Sequence, residues 1–278
     1  MKDKIDKLQS LLISKSKNYL ANCKKKEINI FASPLCDLNS WSNGLGYEKL
    51  LLLKNNKNFS LNFLWQLIIE IINIGRFNFK VYEPLNNFME KKRINLVYSY
   101  CWKESFDKNS IFYDKYLKLN SKNLNYYFLL ISIDGYLPKK INNFTILKRK
   151  KIIFSPLLFI KYFKKKLFEK NFFHQFNSTN FFCEFLSDFI IKNFTNKRLS
   201  IIVPYENRPH QNVVLSSIKS INKNNKTICY LHNMSWPFQI DMIYKKNDIN
   251  TLLISSHVQK NELIKNYLWP KKKIREIP

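Results

Sequence analysis

The stretch LSIIVPYENRPHQNVVLSSIK, residues 199–219, decides the fold of this chain. Its first half is an apolar run that predicts a buried strand, and its second half places apolar residues at helical spacing from Pro209 onward. Proline is accepted in the first turn of a helix, because the N–H groups there have no partner within the helix. The turn between the two elements carries Glu206, Arg208 and His210. So many ionisable groups after a buried strand indicate a candidate site.

Short apolar runs and helical patterns alternate along the rest of the chain. Strands are predicted at 28–34, 95–102, 126–134, 144–150, 199–206, 226–233 and 250–256, with a last one beginning at 272. Helices are predicted at 152–170, 181–194, 209–222, 236–246 and 257–267, and residues 1–27 read as an N-terminal helical extension. This alternation predicts one α/β domain over 1–278, with a mainly parallel sheet and helices on both faces.

Glycine and cysteine usage excludes several classes of function. The 278 residues include only four glycines, none of them after Gly135, so a glycine-rich phosphate loop is absent from the second half and a Walker loop from the whole sequence. Five cysteines are scattered without C-x-x-C pairs, which favours reduced, mostly buried thiols over disulfides or zinc. We expect no metal and no cofactor.

The formal net charge of +27 has two interpretations. Lys, Asn, Ile and Phe are overused together along the whole chain, which favours solvated lysines spread over every surface. The alternative is an anionic partner, with phosphate-bearing lipids or sugars ahead of nucleic acid. RNA-binding sheet motifs and zinc-finger spacings are both missing, so no nucleic acid is expected, and a charge-driven nucleic-acid binder remains the remoter rival.

Two apolar segments are candidate membrane elements. Segment 59–75 is shorter than the ~20 residues of a span. It also carries a polar stripe at helical spacing, namely Asn62, Gln66, Glu70 and Asn73. It is therefore predicted to be a core helix. Segment 152–173 is either a helix covering the sheet or an interfacial helix on anionic headgroups.

The N-terminus lacks the apolar core of a signal peptide. We expect a cytoplasmic protein, with peripheral attachment to the inner face of the cytoplasmic membrane as the alternative.

Three predicted βα turns carry the candidate site. Glu206, Arg208 and His210 follow one strand, His232 follows the next, and His257 follows a third. Ligands of an open parallel sheet bind beyond the carboxyl ends of its strands, so neighbouring strands would bring these side chains to one rim. The alternative is that the polar residues serve only as caps and turns.

Several blocks of the sequence resemble a known group of proteins. VPYENRPHQN at 203–212 and TICYLHNMSWPFQIDMIY at 227–244 resemble the tyrosine-glutamate and tyrosine-x-histidine loops of surface carbohydrate biosynthesis proteins, which are GT-B-type glycosyltransferases of capsule and lipopolysaccharide assembly. LVYSYCWKESFDKNSIFYDKYLKL at 96–119 resembles an upstream block of the same group, with the aspartate-tyrosine pair at Asp114 and Tyr116. The resemblance covers about 94–278.

The resemblance implies two Rossmann-like domains facing across a cleft, the first holding the acceptor and the second the nucleotide-sugar donor. The sequence stops about where the first would hand over to the second. The expectation is therefore an acceptor-side domain whose donor-binding domain is absent. It would act in the transfer of a sugar from a nucleotide-sugar to a glycan or lipid-linked acceptor. The alternative is a non-catalytic glycan- or lipid-phosphate-binding module of a glycan-assembly complex.

Roles for individual residues follow from the needs of glycosyl transfer. A base must take the acceptor proton, and Glu206 and His232 have suitable chemistry. Arg208 and His210 could pair with Glu206 or hold a phosphate or acidic sugar, and Trp236 offers a flat face for a sugar ring. The remaining predicted substrate-binding residues are Asn207, Asn233 and His257.

Overall fold

The computed structural model describes residues 78–82, 91–141, 143–150, 178–206, 208–231 and 248–277, and the single positions 14, 68, 156, 157, 160, 164, 242 and 244. The predictions for the N-terminal extension, the strand at 28–34 and the segment 59–75 lie outside the described residues, as do most of the helices predicted at 152–170 and 236–246.

An eight-stranded sheet forms the centre of the molecule. Its strands are β1 (Asn78–Tyr82), β2 (Arg93–Cys101), β5 (Tyr126–Ser132), β6 (Phe144–Lys150), β7 (Arg198–Pro204), β8 (Lys226–Leu231), β9 (Thr251–Ile254) and β10 (Ile274–Glu276). They lie in the order β1-β6-β5-β2-β7-β8-β9-β10, and every neighbouring pair is parallel except β1 with β6. The prediction of an α/β fold with a mainly parallel sheet is confirmed.

The direction of winding reverses between β2 and β7. From β2 the chain proceeds outward to β5 and β6, then returns to the other side of β2 and continues from β7 to β10. This order is consistent with a Rossmann-like fold. In such sheets a crevice forms at the reversal, beyond the carboxyl ends of the strands.

The helices of the described part cover one face of the sheet. They are α1 (Ser178–Phe194), α2 (Pro209–Ile221) and α3 (His257–Lys265). In α1 the apolar side chains recur every four residues and are buried: Phe182, Leu186, Ile190 and Phe194. They join the core formed by alternate residues of the strands, such as Leu96 and Tyr98 of β2, and by Val214 and Leu215 of α2. No helix within the described ranges is long and apolar enough to cross a membrane.

A hairpin covers the opposite face of β2, β5 and β6. Its two short strands are β3 (Tyr113–Asp114) and β4 (Leu119–Asn120). Phe112 packs there against Val97 and Phe128, and the carboxylate of Asp114 accepts hydrogen bonds from the Ser99 hydroxyl and two backbone N–H groups. Helices on both faces are thus not observed in the described part, where a hairpin covers β2, β5 and β6 on that side.

Three cysteines of the described part, Cys101, Cys183 and Cys229, are buried free thiols. Burial, with a smaller contribution from Asp134, raises the pKa of Cys101 to about 12. A thiol with so high a pKa carries almost no thiolate, so Cys101 is a core residue rather than a nucleophile.

Candidate functional site

Gln211 fixes the conformation of the turn between β7 and α2. Its fully buried side chain accepts hydrogen bonds from the backbone N–H groups of Glu206 (2.9 Å) and Arg208 (3.1 Å). Its amide nitrogen donates to the carbonyl of Pro204 at 2.7 Å. Arg208 is the N-cap of α2 and Gln211 its third residue, so the side chain reaches back over the cap as in a capping box.

Glu206 and Arg208 form an ion pair on this turn. Arg208 Nε donates to Glu206 Oε2 at 3.2 Å, and the two side chains are 18% and 32% exposed for Arg208 and Glu206 respectively. Partial exposure leaves both groups within reach of a ligand, while the pairing fixes the orientation of the carboxylate. The pairing was one of the two roles that the sequence analysis allowed for Arg208.

His210 is held between two tyrosines of β2. Its Nδ1 lies 3.0 Å from the hydroxyl of Tyr98, and its Nε2 lies 3.1 Å from the hydroxyl of Tyr100. The imidazole also contacts the ring of Phe182 from α1, with the ring centres 5.7 Å apart. Because Tyr98 and Tyr100 lie two residues apart on a strand, both side chains project from the same face toward α2.

The imidazole of His210 is neutral at physiological pH. Burial, together with the nearby charge of Arg208 and against the opposing effect of Glu206, lowers its pKa to about 3. A neutral imidazole donates one hydrogen bond and accepts one. In either tautomer, therefore, one tyrosine donates to His210 and the other accepts from it. Burial also raises the pKa of Tyr98 well above its ordinary value, so Tyr98 stays a phenol.

This geometry bears on the role expected for His210. Both ring nitrogens are engaged by tyrosines, and the ring carries no charge with which to hold a phosphate. His210 is therefore best understood as a positioning residue, which ties the N-terminus of α2 to β2 across the reversal of the sheet. This clamp, formed by His210, Tyr98 and Tyr100, joins residues more than a hundred positions apart, so the periodicity of the sequence could not reveal it.

Two aromatic rings extend from the clamp toward the end of β2. Tyr100 and Trp102 are half-buried, with ring centres 6.4 Å apart. The hydroxyl of Tyr100 also accepts a hydrogen bond from Gln211 at 3.3 Å. Sequence reasoning missed both as site residues, although the alternation YSYCW at the end of a strand was the available signal. Partly exposed aromatic faces suit contact with the apolar face of a sugar ring.

The third predicted turn lies between β9 and α3. It connects a strand to a capped helix, as the β7–α2 turn does, but it carries different side chains. Ser256 caps α3 by accepting from Gln259 N at 3.2 Å, and Gln259 reaches back to Ser255. His257 is 69% exposed and lies 3.5 Å from the carboxylate of Glu276. No contact joins His257 to Glu206 or His210 within the described part of the chain, so His257 belongs to a separate pair.

The other predicted site residues are Asn207, His232, Asn233 and Trp236, and they lie outside the described residues. The strands that lead to the three predicted turns are β7, β8 and β9. They are adjacent and parallel, as expected from the sequence. Within the described part, no group of His, Cys, Asp and Glu side chains could hold a metal ion.

The described rim thus combines an oriented carboxylate, a guanidinium and an aromatic pair at the reversal of the sheet. The carboxylate can accept a proton or a hydrogen bond, the guanidinium can meet an anion, and the rings can meet an apolar ligand face. This set suits recognition of a polyhydroxylated ligand. Comparison with protein-family models, curated proteins and solved structures finds no match.

Proposed function

We propose that this chain is the acceptor-side domain of a GT-B-type glycosyltransferase in surface polysaccharide or lipopolysaccharide biosynthesis. The observation that carries the proposal is the Glu206–Arg208 pair, placed at the sheet reversal beside Tyr100 and Trp102. In this proposal the acceptor is a glycan or lipid-linked glycan. The nucleotide-sugar donor would face the acceptor from a second nucleotide-binding domain across the cleft.

Glu206 would act as the general base. As the anomeric carbon bonds to the acceptor oxygen, the hydroxyl proton passes to the carboxylate of Glu206, and the nucleoside diphosphate leaves with the electron pair of the broken bond. Arg208 keeps the carboxylate in place at 3.2 Å, and its guanidinium would meet an anionic group of the acceptor. His232 is the alternative base, and Trp236 an additional face for the sugar, from the neighbouring turn.

A second candidate is a non-catalytic glycan- or lipid-phosphate-binding module. The observation that favours it is the mutual engagement of the turn's groups: Glu206 is paired with Arg208, and both nitrogens of His210 are occupied. A preformed rim of this kind can recognise a ligand without carrying out chemistry on it.

The test is turnover of the complete gene product with a panel of UDP-sugars and bacterial core oligosaccharides, measured as UDP release. Glu206→Gln keeps the shape of the side chain and removes the base, so turnover should fall by ~10²-fold or more. Glu104→Gln is the matched control, because Glu104 is exposed at the same edge of the sheet. Equal turnover of wild type and Glu206→Gln would contradict the catalytic role, and oligosaccharide binding without any UDP release would favour the binding module.

A further inference from the structure

Among the residues that the structure describes, the two edges of the sheet differ in charge. Because the strands from β2 to β10 are parallel, the segments that enter them lie at one edge, here named the amino edge. The segments that leave them lie at the opposite, carboxyl edge. At the carboxyl edge, the described turns directly after β2, β5, β7 and β9 and the last residues of β6 and β10 carry four carboxylates and five cations: Glu104, Asp134, Glu206, Glu276, Lys103, Lys148, Arg149, Lys150 and Arg208.

The amino edge, in contrast to this nearly balanced edge, is strongly cationic. The entries into β2 and β7 carry Lys91, Lys92, Arg93, Lys197 and Arg198. The entries into β5, β6, β8 and β10 carry Lys122, Lys139, Lys140, Lys223, Lys226, Lys271, Lys272 and Lys273. Against these cations, the described entry segments hold one carboxylate, Asp248 before β9. An even spread of lysines over every surface does not produce this contrast.

The cations of the amino edge crowd one another. Arg93 and Arg198 stand directly opposite each other in the β2–β7 register, and like charges in that position are destabilising. Among the residues that the structure describes, no carboxylate pairs with Lys92, Arg93 or Arg198. An external anionic partner would relieve this repulsion.

The shape of this edge suits a broad partner. Neighbouring strands are ~4.8 Å apart, so the cations from β5 to β10 extend over about 24 Å. A cavity of about 590 Å³ opens between the entries of β2 and β7, and its lining includes Lys92, Arg93, Lys197 and Arg198 together with Ile191 and Ile221. A small ligand would need only the cavity, whereas a row of cations of this width can contact an extended anionic surface.

Exposed aliphatic side chains lie among these cations. Leu124 is 67% exposed, and its carbonyl accepts from Lys91 Nζ at 3.3 Å. Ile191, at the cavity, is 41% exposed, and Leu268, ahead of β10, is 44% exposed. Among the described residues of this edge, no exposed aromatic ring offers a nucleic-acid base a stacking platform. Basic and aliphatic side chains together are typical of surfaces that rest on anionic headgroups.

We propose that the amino edge of the sheet docks this protein on an anionic phospholipid bilayer. The cations meet the headgroup phosphates, and Leu124 and Ile191 enter the interfacial layer. The seven residues of β7 at ~3.3 Å each place the carboxyl edge about 23 Å away from the bilayer. A ligand that binds at the carboxyl edge therefore approaches from the aqueous phase. The proposal does not depend on the transferase assignment.

The test is co-sedimentation of the full chain with vesicles of phosphatidylcholine, with and without about one third phosphatidylglycerol, at about 0.1 M NaCl. The edge variant combines Lys92→Gln, Arg93→Gln, Lys197→Gln and Arg198→Gln. The control variant combines Lys103→Gln, Lys108→Gln, Lys115→Gln and Lys118→Gln, which removes the same charge from exposed positions in the segment between β2 and β4. Circular dichroism verifies that both variants are folded.

The wild type should bind only the anionic vesicles. Removing four charges at the docking surface should weaken this binding by ~100-fold or more, and the control should change it by less than ~5-fold. The single variant Leu124→Ser, at an exposed position, should weaken it several-fold with little effect on the fold. Failure of the wild type to bind anionic vesicles would overturn the proposal. So would an equal loss in the edge and control variants, or binding of a structured RNA in preference to the vesicles.

Discussion

The imidazole of His210 lies 3.0 Å from the Tyr98 hydroxyl and 3.1 Å from the Tyr100 hydroxyl. A histidine in a βα loop is a natural candidate for acid–base chemistry, and the sequence alone favoured a ligand-binding role. The buried environment of the His210 ring does not support that role. Burial makes the cationic form too costly, so His210 contributes hydrogen bonds rather than charge.

The pH dependence of stability should reveal this histidine. The pKa of His210 is about 3 in the folded protein and 6.5 as its ordinary value, so the unfolded chain takes up the proton first as pH falls. The contribution of the neutral ring is complete above the ordinary pKa and is lost as pH falls toward the folded pKa. Between about pH 7 and about pH 5, the free energy of unfolding should fall by ~2 kcal/mol from this group.

Urea unfolding at both pH values measures the effect. His210→Gln cannot titrate at this position, so its stability should fall less than that of the wild type by about that amount. His257→Gln is the control, because its side chain is 69% exposed and makes no contact with the clamp. An identical pH dependence in wild type and His210→Gln would show that the ring is not held neutral.

Two helices of this protein begin with the same kind of side-chain cap. Gln211 is the third residue of α2 and Gln259 the third residue of α3, and each side chain accepts hydrogen bonds from the preceding turn. They differ in burial, since Gln211 is fully buried and the hydrogen bonds of Gln259 are exposed. Water can therefore replace the hydrogen bonds of Gln259 but not those of Gln211.

Substituting each glutamine by alanine should separate these contributions. Gln211→Ala leaves two backbone N–H groups and the carbonyl of Pro204 without this partner, and should cost ~3 kcal/mol in free energy of unfolding. Gln259→Ala should cost less than ~1 kcal/mol, because its turn is solvated. Equal losses in urea unfolding would mean that Gln211 does not fix the β7–α2 turn.

Elements with strong periodicity could be predicted from the sequence. The strand predicted at 144–150 matches β6 (Phe144–Lys150), and the helix predicted at 209–222 matches α2 (Pro209–Ile221) within a residue. The hairpin of β3 and β4 was not predicted. Its strands are two residues long, and Asp114 and the turn residues hold it in place rather than a repeating pattern.

At the scale of the whole molecule, topology decides which residues meet. The sequence predicted that the strands before Glu206, His232 and Ser255 would be neighbours, and β7, β8 and β9 are adjacent and parallel. It could not predict that β2 lies beside β7, because the residues between them form β5, β6 and α1. That pairing brings Tyr98 and Tyr100 to the site. The charge contrast between the two edges likewise emerges only from the strand order.

We expect ligands to bind at the reversal of the sheet, beside Trp102. The direct measurement is ¹⁹F NMR of the protein labelled with 5-fluorotryptophan, with the Trp102 signal assigned from Trp102→Phe, during titration with a bacterial core oligosaccharide. The Trp102 signal should shift with the bound fraction, while the signal of Trp269, which is 2% exposed, should stay in place. Oligosaccharide binding, established by calorimetry, that leaves the Trp102 signal unmoved would contradict the claim.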